Sequence, residues 1–381
     1  MKLHKLLSTI TIAMLPLMSV AHAADGVSAT EVSIGMANAL SGPAAGLGTN
    51  MRDGSLVYFN KINAAGGVNG RKIKLISVDD GYEPEKSAAA TQQLIEKDQV
   101  FALFGYVGTP TSKAAVPFAS KAEVPYIAPF TGAEVLRNPV NKVVFNVRAS
   151  YFDETEAMVE HLTKDLGIKK VAVFIQEDAY GDAGKAGVNR ALNKRSMTLS
   201  GEAKYKRNTV EVDGAVAALK AANPEAIVMV GTYHACSAFV KKAKAAGLNA
   251  KFLNVSFVGT SDFIKEAGAD GEGVYITQVM PSPDDAGIAI VKQYQADMKA
   301  AGKTDLNYTN LEGYIDAVVL VEGLKKAGST LTRATFMDAL NQLKIDIGGL
   351  KVALTPTDHQ GLSEVYLTQV KNGKAVTITK F

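Results

Sequence analysis

Cysteine is almost absent, with Cys236 alone in 381 residues. A disulfide framework is therefore excluded, and stability must come from buried apolar surface, which a chain of this length can supply. A single thiol in such a chain is expected to be buried and to behave as a small apolar residue. A dominant charge of one sign is also missing: 41 basic residues face 38 acidic ones, for a formal charge of +3. With no basic cluster, a nucleic-acid partner is not expected. Histidine is scarce, and His161, His234 and His359 lie far apart, which does not suggest a metal-ligand set. No metal or cofactor is expected. The signatures of several enzyme classes are missing as well. There is no G-x-x-x-x-G-K-[ST] phosphate loop, and GDAGKAG (181–187) has a lysine at the wrong spacing. G-x-G-x-x-G after a strand, G-x-S-x-G, H-E-x-x-H and C-x-x-C are all missing. An enzyme is not the reading these absences favour.

The N-terminus carries an export pattern. Lys2 and Lys5 precede an apolar core from Leu6 to Val20, and Ala21 and Ala23 follow with A-x-A spacing. This predicts a secretory signal peptide over 1–23, cleaved after Ala23. The apolar core is shorter than the roughly 20 residues of a membrane span and contains Pro16. No cysteine follows it, so a lipid-anchored form is not expected, and no later segment is long and apolar enough to span a bilayer. The mature protein is expected to be soluble and periplasmic, with 47% hydrophobic residues as a globular chain requires.

Short apolar, β-branched runs alternate with longer helical patterns. VSIGMA (32–37), KIKLISV (72–78), VFALF (100–104), VPYIA (124–128), KVVFNV (142–147), VAVFI (171–175), AIVMV (226–230) and VYITQV (274–279) predict strands. Amphipathic segments at 49–65, 84–98, 112–122, 152–166, 182–195, 213–222, 235–246, 285–301 and 310–327 predict helices. Such alternation means an α/β chain with mostly parallel sheets, their strands apolar on both faces. More than six units is too many for one sheet, so two lobes are expected.

Ligands of open α/β sheets bind beyond the carboxyl ends of the strands. The residues there are NALSGPAAGLGT (38–49), GYVGTPTS (105–112), PFTGAE (129–134), QEDAYGD (176–182), GTYHA (231–235) and SFVGTSD (256–262). They offer hydroxyls and backbone donors at helix starts, suited to holding a small carboxylate. Tyr180, Tyr233 and Phe257 could close over an apolar body. Thr109-Pro110 reads as an N-cap followed by proline at the first helical position, which would point the amides of Thr111 and Ser112 out of the helix. On that loop alone, Thr109 as a simple helix cap and Thr109 as a ligand donor stand as alternatives.

The run from Ser55 to Gly105, with AAGGVNGRKI and a following DD, resembles the leucine/isoleucine/valine-binding protein family. LSGPAAGLG (40–48), DDGYEP (79–84), EDAYGDAG (177–184), ITQVMPSP (276–283) and LEGYIDAVVLVEGLKKAG (311–328) extend the resemblance over essentially the whole mature chain. It implies a type I periplasmic-binding fold: two Rossmann-like lobes joined by three crossing strands, near Arg148–Phe152, Thr277–Met280 and Leu350–Val365. The N-terminal lobe would comprise 24–149 plus 279–355, and the C-terminal lobe 150–278 plus 356–381. It also implies a carrier that is monomeric and hands a small carboxylate or amino acid to the membrane permease of an ABC importer. A soluble sensor of the same fold, signalling to a partner protein, is the second reading. The ligand-binding positions would be Thr109, Thr111, Thr131 and Gly132 on the first lobe, with Tyr180, Tyr233 and Ser256 closing from the second. Thr232 competes with Tyr233 for one aromatic position, and Leu47 stands where the family has an aromatic residue. Ser256 replaces the acid that receives the ligand's ammonium, so either Glu177 or Asp178 substitutes or the ligand has no amine.

Overall fold

The computed structural model describes residues 24–381; the expected signal peptide lies outside this range. The chain begins with β1 (Glu31–Asn38), α1 (Ala45–Ala64), β2 (Lys72–Asp79), α2 (Pro84–Glu96), β3 (Ala102–Phe104), α3 (Thr109–Lys121), β4 (Tyr126–Ile127) and β5 (Val144–Phe145). These strands form one parallel sheet in the order β2-β1-β3-β4-β5. Then come α4 (Tyr151–Lys164), β6 (Val171–Gln176), α5 (Ala179–Asn193), β7 (Gly201–Tyr205), α6 (Asp213–Ala222), β8 (Ala226–Val230), α7 (Tyr233–Ala245), β9 (Lys251–Asn254), α8 (Thr260–Ala267) and β10 (Tyr275–Gln278). The chain next adds α9 (Ala289–Ala300), α10 (Tyr308–Ala327), α11 (Arg333–Leu340) and the hairpin β11 (Lys344–Asp346) with β12 (Lys351–Ala353). It ends in β13 (Tyr366–Lys371) and β14 (Lys374–Ile378), which extend the second sheet, ordered β14-β13-β10-β9-β8-β6-β7.

Burial explains why these runs become strands. Every residue of β6, β8 and β10 is buried, as a central strand between two helical layers requires. Helices α9, α10 and α11 return to the first sheet, where Leu311, Ile315, Val319 and Phe336 share a core with Ile34, Phe101 and Phe104. The 310–327 segment read as amphipathic. In the fold α10 is buried on nearly all sides, because it lies between the sheet, α1 and the interlobe region. Its close approach to α1 depends on two glycines. A Cβ on Gly54 would sit 1.9 Å from the Asn310 carbonyl oxygen, and one on Gly313 would sit 2.2 Å from that of Met51. The chain passes between lobes after Val147, where α4 begins with a Ser150–Asp153 capping box. It returns after β10. It passes a third time beyond the segment in which Asn146 pairs with His359 and Gly361, and Leu362 N–H donates to Val147 O.

Each sheet has a switch point where neighbouring connections run to opposite sides: between β1 and β3 in the first, and between β6 and β8 in the second. Such crevices are where α/β sheets receive ligands. The loops following β1 and β3 meet those following β6 and β8, so the two crevices face each other. Among the described residues, no helix is long and apolar enough to cross a membrane.

Cys236 is fully buried on α7, and burial holds its thiol well above the usual range. The native protein is expected to resist a soluble thiol reagent and to release one equivalent of reactivity only on denaturation, measurable by chromogenic thiol titration.

Candidate functional site

The helix following β3 starts differently from the expected cap. Gly108 is the N-cap, with φ 103° and ψ 153°, and Thr109 is already helical. The Thr109 hydroxyl therefore makes no cap. It lies 2.7 Å from Thr131 Oγ1, and Thr131 donates to Tyr151 Oη at 3.2 Å. With that proton spent, Thr131 accepts from Thr109. The relay ends on the Tyr151 phenol, whose own proton has no acceptor among the described residues. Burial pushes the Tyr151 phenol up to about 12, so it keeps that proton at neutral pH. Gly132 permits this approach: its carbonyl accepts from Tyr151 N–H at 2.7 Å, and a Cβ there would sit 2.5 Å from the Tyr151 ring. Thr111 differs from its neighbours. Its hydroxyl turns back onto the carbonyls of Val107 and Gly108, so its side chain is committed to its own helix.

Aromatic side chains from both lobes surround this relay. Tyr180 packs on Tyr151 at 5.6 Å and on Phe257 at 4.5 Å, and Phe257 touches Phe130 at 5.3 Å and Tyr82 at 6.1 Å. Burial holds the Tyr82 and Tyr180 phenols far above their usual range, so both stay neutral. Tyr180 Oη donates to Gly231 O at 3.4 Å.

The lobes are bound together at the rim of this cluster. Tyr233 Oη, from the second lobe, accepts from Gly46 N–H at 3.1 Å. Thr232, its competitor in the sequence reading, is the N-cap of α7, and its amide donates to Tyr205 Oη. Gln176 donates to Tyr82 Oη at 3.2 Å, and Arg207 donates to Glu83 at 2.8 Å and Asp178 at 2.9 Å. Asp178 also caps α5 through Tyr180 N–H, and Glu177 is exposed. Neither acid faces the place of Ser256, because one is tied to the rim and the other points to solvent.

Ser256 sits on a buried charge cluster at the hinge. Its amide and hydroxyl donate to Glu154 at 2.7 and 2.9 Å, its Oγ accepts from Arg148, and Thr277 donates to Glu154 at 2.5 Å. Arg148 comes from the first crossing and is 1% exposed, with its guanidinium 4.8 Å from the centre of the Phe130 ring. It pairs with Glu154 of the second lobe at 3.7 Å and with Glu312 of the first at 3.5 Å. Burial acts to lower the Arg148 value, but Glu312 and Glu154 hold it above the ordinary one. Arg137 donates to the carbonyls of Thr131, Ala133 and Arg148, joining this cluster to the threonine loop.

Of the candidates read from sequence, Thr109, Thr131 and Gly132 come together, and Tyr180 faces them through Tyr151. Tyr233 lies at the rim and Ser256 at the hinge. Tyr151, Tyr82, Phe130, Arg148, Glu154 and Glu312 were not read as site residues. Two of them carried a usable signal, since Arg148 and Tyr151 fall within the crossing expected at 148–152. Among the described residues, no group of three or more His, Cys, Asp or Glu is placed to hold a metal.

The chain is similar to known proteins over most of its length. A crystal structure from Rhodopirellula baltica SH 1, of a possible leucine/isoleucine/valine-binding protein, superposes with a TM-score of 0.88 at 36% identity, covering 94% of this chain and 98% of that one. A substrate-binding periplasmic protein from Ralstonia solanacearum gives 0.86 at 30% identity, covering 91% and 100%. The Leu/Ile/Val-binding protein homolog 3 of Brucella melitensis is 27% identical over 319 residues, which are 82% of this chain and 84% of that protein. The family model described as periplasmic binding protein matches residues 31–375, and the chain belongs to that family, with the type I fold of two parallel-sheet lobes.

Proposed function

We propose that the protein is the periplasmic solute-binding component of a branched-chain amino-acid-type ABC importer. It captures a small carboxylate, an amino acid or a related aliphatic or aromatic acid, between its lobes and delivers it to a membrane permease. It works as an exported monomer and catalyses no reaction. The observation that carries this reading is the Thr109–Thr131–Tyr151 relay, which ends on a phenol proton without an acceptor among the described residues, beside the buried interlobe aromatic cluster of Tyr180, Phe257, Tyr82 and Phe130. A carboxylate supplies the missing acceptor, and the aromatic walls take the apolar body. Membership in the periplasmic binding protein family supports the carrier role.

Function then follows from a shift between open and closed lobes. A ligand that touches both lobes favours the closed form by its differential affinity. Thr109→Val removes the first hydroxyl of the relay. It leaves Thr131 without its donor and the Tyr151 phenol less firmly aimed at the carboxylate, so binding should weaken about tenfold, the scale of one net hydrogen bond of roughly 1.5 kcal/mol. Thermal shift against leucine, isoleucine, valine and their 2-oxo counterparts measures this, because bound ligand raises apparent stability by mass action. Unchanged affinity would remove Thr109 from the site. Failure of every carboxylate to bind would overturn the reading.

A further inference from the structure

The hinge cluster contains more negative than positive groups. Arg148 faces three carboxyl groups, Glu154 from α4 and Glu312 and Asp316 from α10, with Arg137 as the other nearby cation. Glu154 is fully engaged by Ser256, Thr277 and Arg148. The other two are not. Glu312 accepts no hydrogen bond from any described residue; its 3.5 Å pairing with Arg148 Nη1 is misaligned, and that nitrogen has no hydrogen-bond partner. Asp316, one helical turn further along, is 1% exposed with both oxygens unpartnered. A buried, unpaired carboxylate is costly and takes up a proton or a cation.

Glu312 also lines a small cavity with Ser256, Phe130, Gln278 and Thr309. The cavity is about 10 Å³, the space of one water molecule or one ammonium group. Phe130, which lines the cavity, precedes Thr131 of the relay in the chain and packs on Phe257 of the aromatic cluster. A short serine at 256 leaves the space open, and an acid from a different element, α10, supplies the charge.

Resting on the carboxylate reading above, we propose that Glu312, backed by Asp316, is a cation subsite that receives the ligand's ammonium at the hinge. The acid lost at position 256 is thus replaced from the opposite lobe. Because Arg148 links Glu312 to Glu154 across the hinge, filling the subsite joins the two lobes at their pivot.

Binding then involves a proton. Burial, reinforced by Glu154 and opposed by Arg148 and Arg137, pushes Glu312 up to about 7. Before binding, part of the population carries the Glu312 proton. When the ammonium arrives, the O–H bond of the Glu312 carboxyl breaks and its electron pair stays on the carboxylate. The proton leaves to solvent, and the ammonium keeps all of its own protons and pairs with the new carboxylate. Below about pH 7, amine binding should weaken by up to about tenfold per pH unit. A ligand without an amine should show no such slope.

The test is titration calorimetry on the mature protein at pH 6.5 in phosphate and in Tris, whose ionisation heats differ. The probes are the standard L-amino acids and the 2-oxo acids of leucine, valine and phenylalanine. The expected result is an amino acid that releases a fraction of a proton and binds more tightly than its 2-oxo counterpart. Glu312→Gln should weaken that amino acid about 30-fold or more and abolish proton release, and Glu312→Asp should restore release in part. Amino-acid binding without proton exchange, or with full affinity in Glu312→Gln, overturns the subsite and leaves the carboxylate reading standing. Preference for a 2-oxo acid does the same. Should the glutamine variant not fold, the wild-type proton count and the amino/oxo ratio decide alone. If no probe binds, the carboxylate reading fails and the subsite fails with it.

Discussion

Arg148→Met is expected to lower the unfolding free energy by about 3–5 kcal/mol, because removing one partner of a buried ion pair leaves uncompensated charge. Arg148 is 1% exposed and stands between Glu154 and Glu312, themselves buried. With the guanidinium gone, Glu154 keeps its bonds from Ser256 and Thr277, while Glu312 loses its one ion-pair partner among the described residues and keeps only the weaker influence of Arg137. Glu312 should then stay protonated to higher pH. The loss therefore has a pH signature. In the wild type, a carboxyl raised from 4.5 to about 7 means that the folded form retains a proton the unfolded form has released, so stability falls as pH rises through that window. In the methionine variant the fall should extend to higher pH. Urea unfolding at a series of pH values measures both effects. Equal stability of variant and wild type across the range would show that the cluster is not held by Arg148.

Gly108→Ala is expected to reduce ligand affinity about 30-fold and to leave the lobes open at ligand concentrations that close the wild type. Gly108 has φ 103° and ψ 153°, a region that residues with a Cβ scarcely enter, at a cost of about 1–3 kcal/mol. The added methyl would also meet the Tyr82 ring at 2.3 Å and Thr111 Oγ1 at 3.0 Å. Tyr82 cannot move freely, since its phenol accepts from Gln176 across the cleft and its ring faces Phe257. Relief of the clash therefore shifts either Tyr82, which breaks an interlobe contact, or the start of α3, which moves Thr109 from Thr131. At about 1.4 kcal/mol per tenfold, strain and displacement together account for the predicted loss. Small-angle scattering with and without saturating ligand separates a closure defect from a simple loss of contact. A variant that closes normally at wild-type affinity would contradict this role for the loop.

Sequence periodicity located most of the parallel strands, because central strands buried on both faces appear as continuous apolar runs. It was weakest where elements are short. β4 and β5 contain two residues each, and α8 and α11 contain eight, too few to establish a period. The site divides along the same physical line. Thr109, Thr131 and Gly132 were legible because strand-end loops rich in small residues are contiguous in sequence. The hinge cluster was legible only in part: Ser256 was read as a site residue, and Arg148 and Thr277 fall in expected crossings, but Glu154 and Glu312 join them only after the lobes assemble. Glu177 and Asp178 appeared better placed because they sit in a cleft-facing loop. The fold instead ties Asp178 to Arg207 and leaves Glu177 in solvent. Thr109 shows the limit within one loop: threonine before proline reads as a cap, and only the position of Thr131 assigns its hydroxyl elsewhere.

The most direct measurement is the identity of whatever small molecule accompanies the purified protein, released by denaturation and identified by mass spectrometry. The account predicts a small carboxylate that carries a protonated amine and an apolar body. A sugar, or any molecule without a carboxylate, would contradict it.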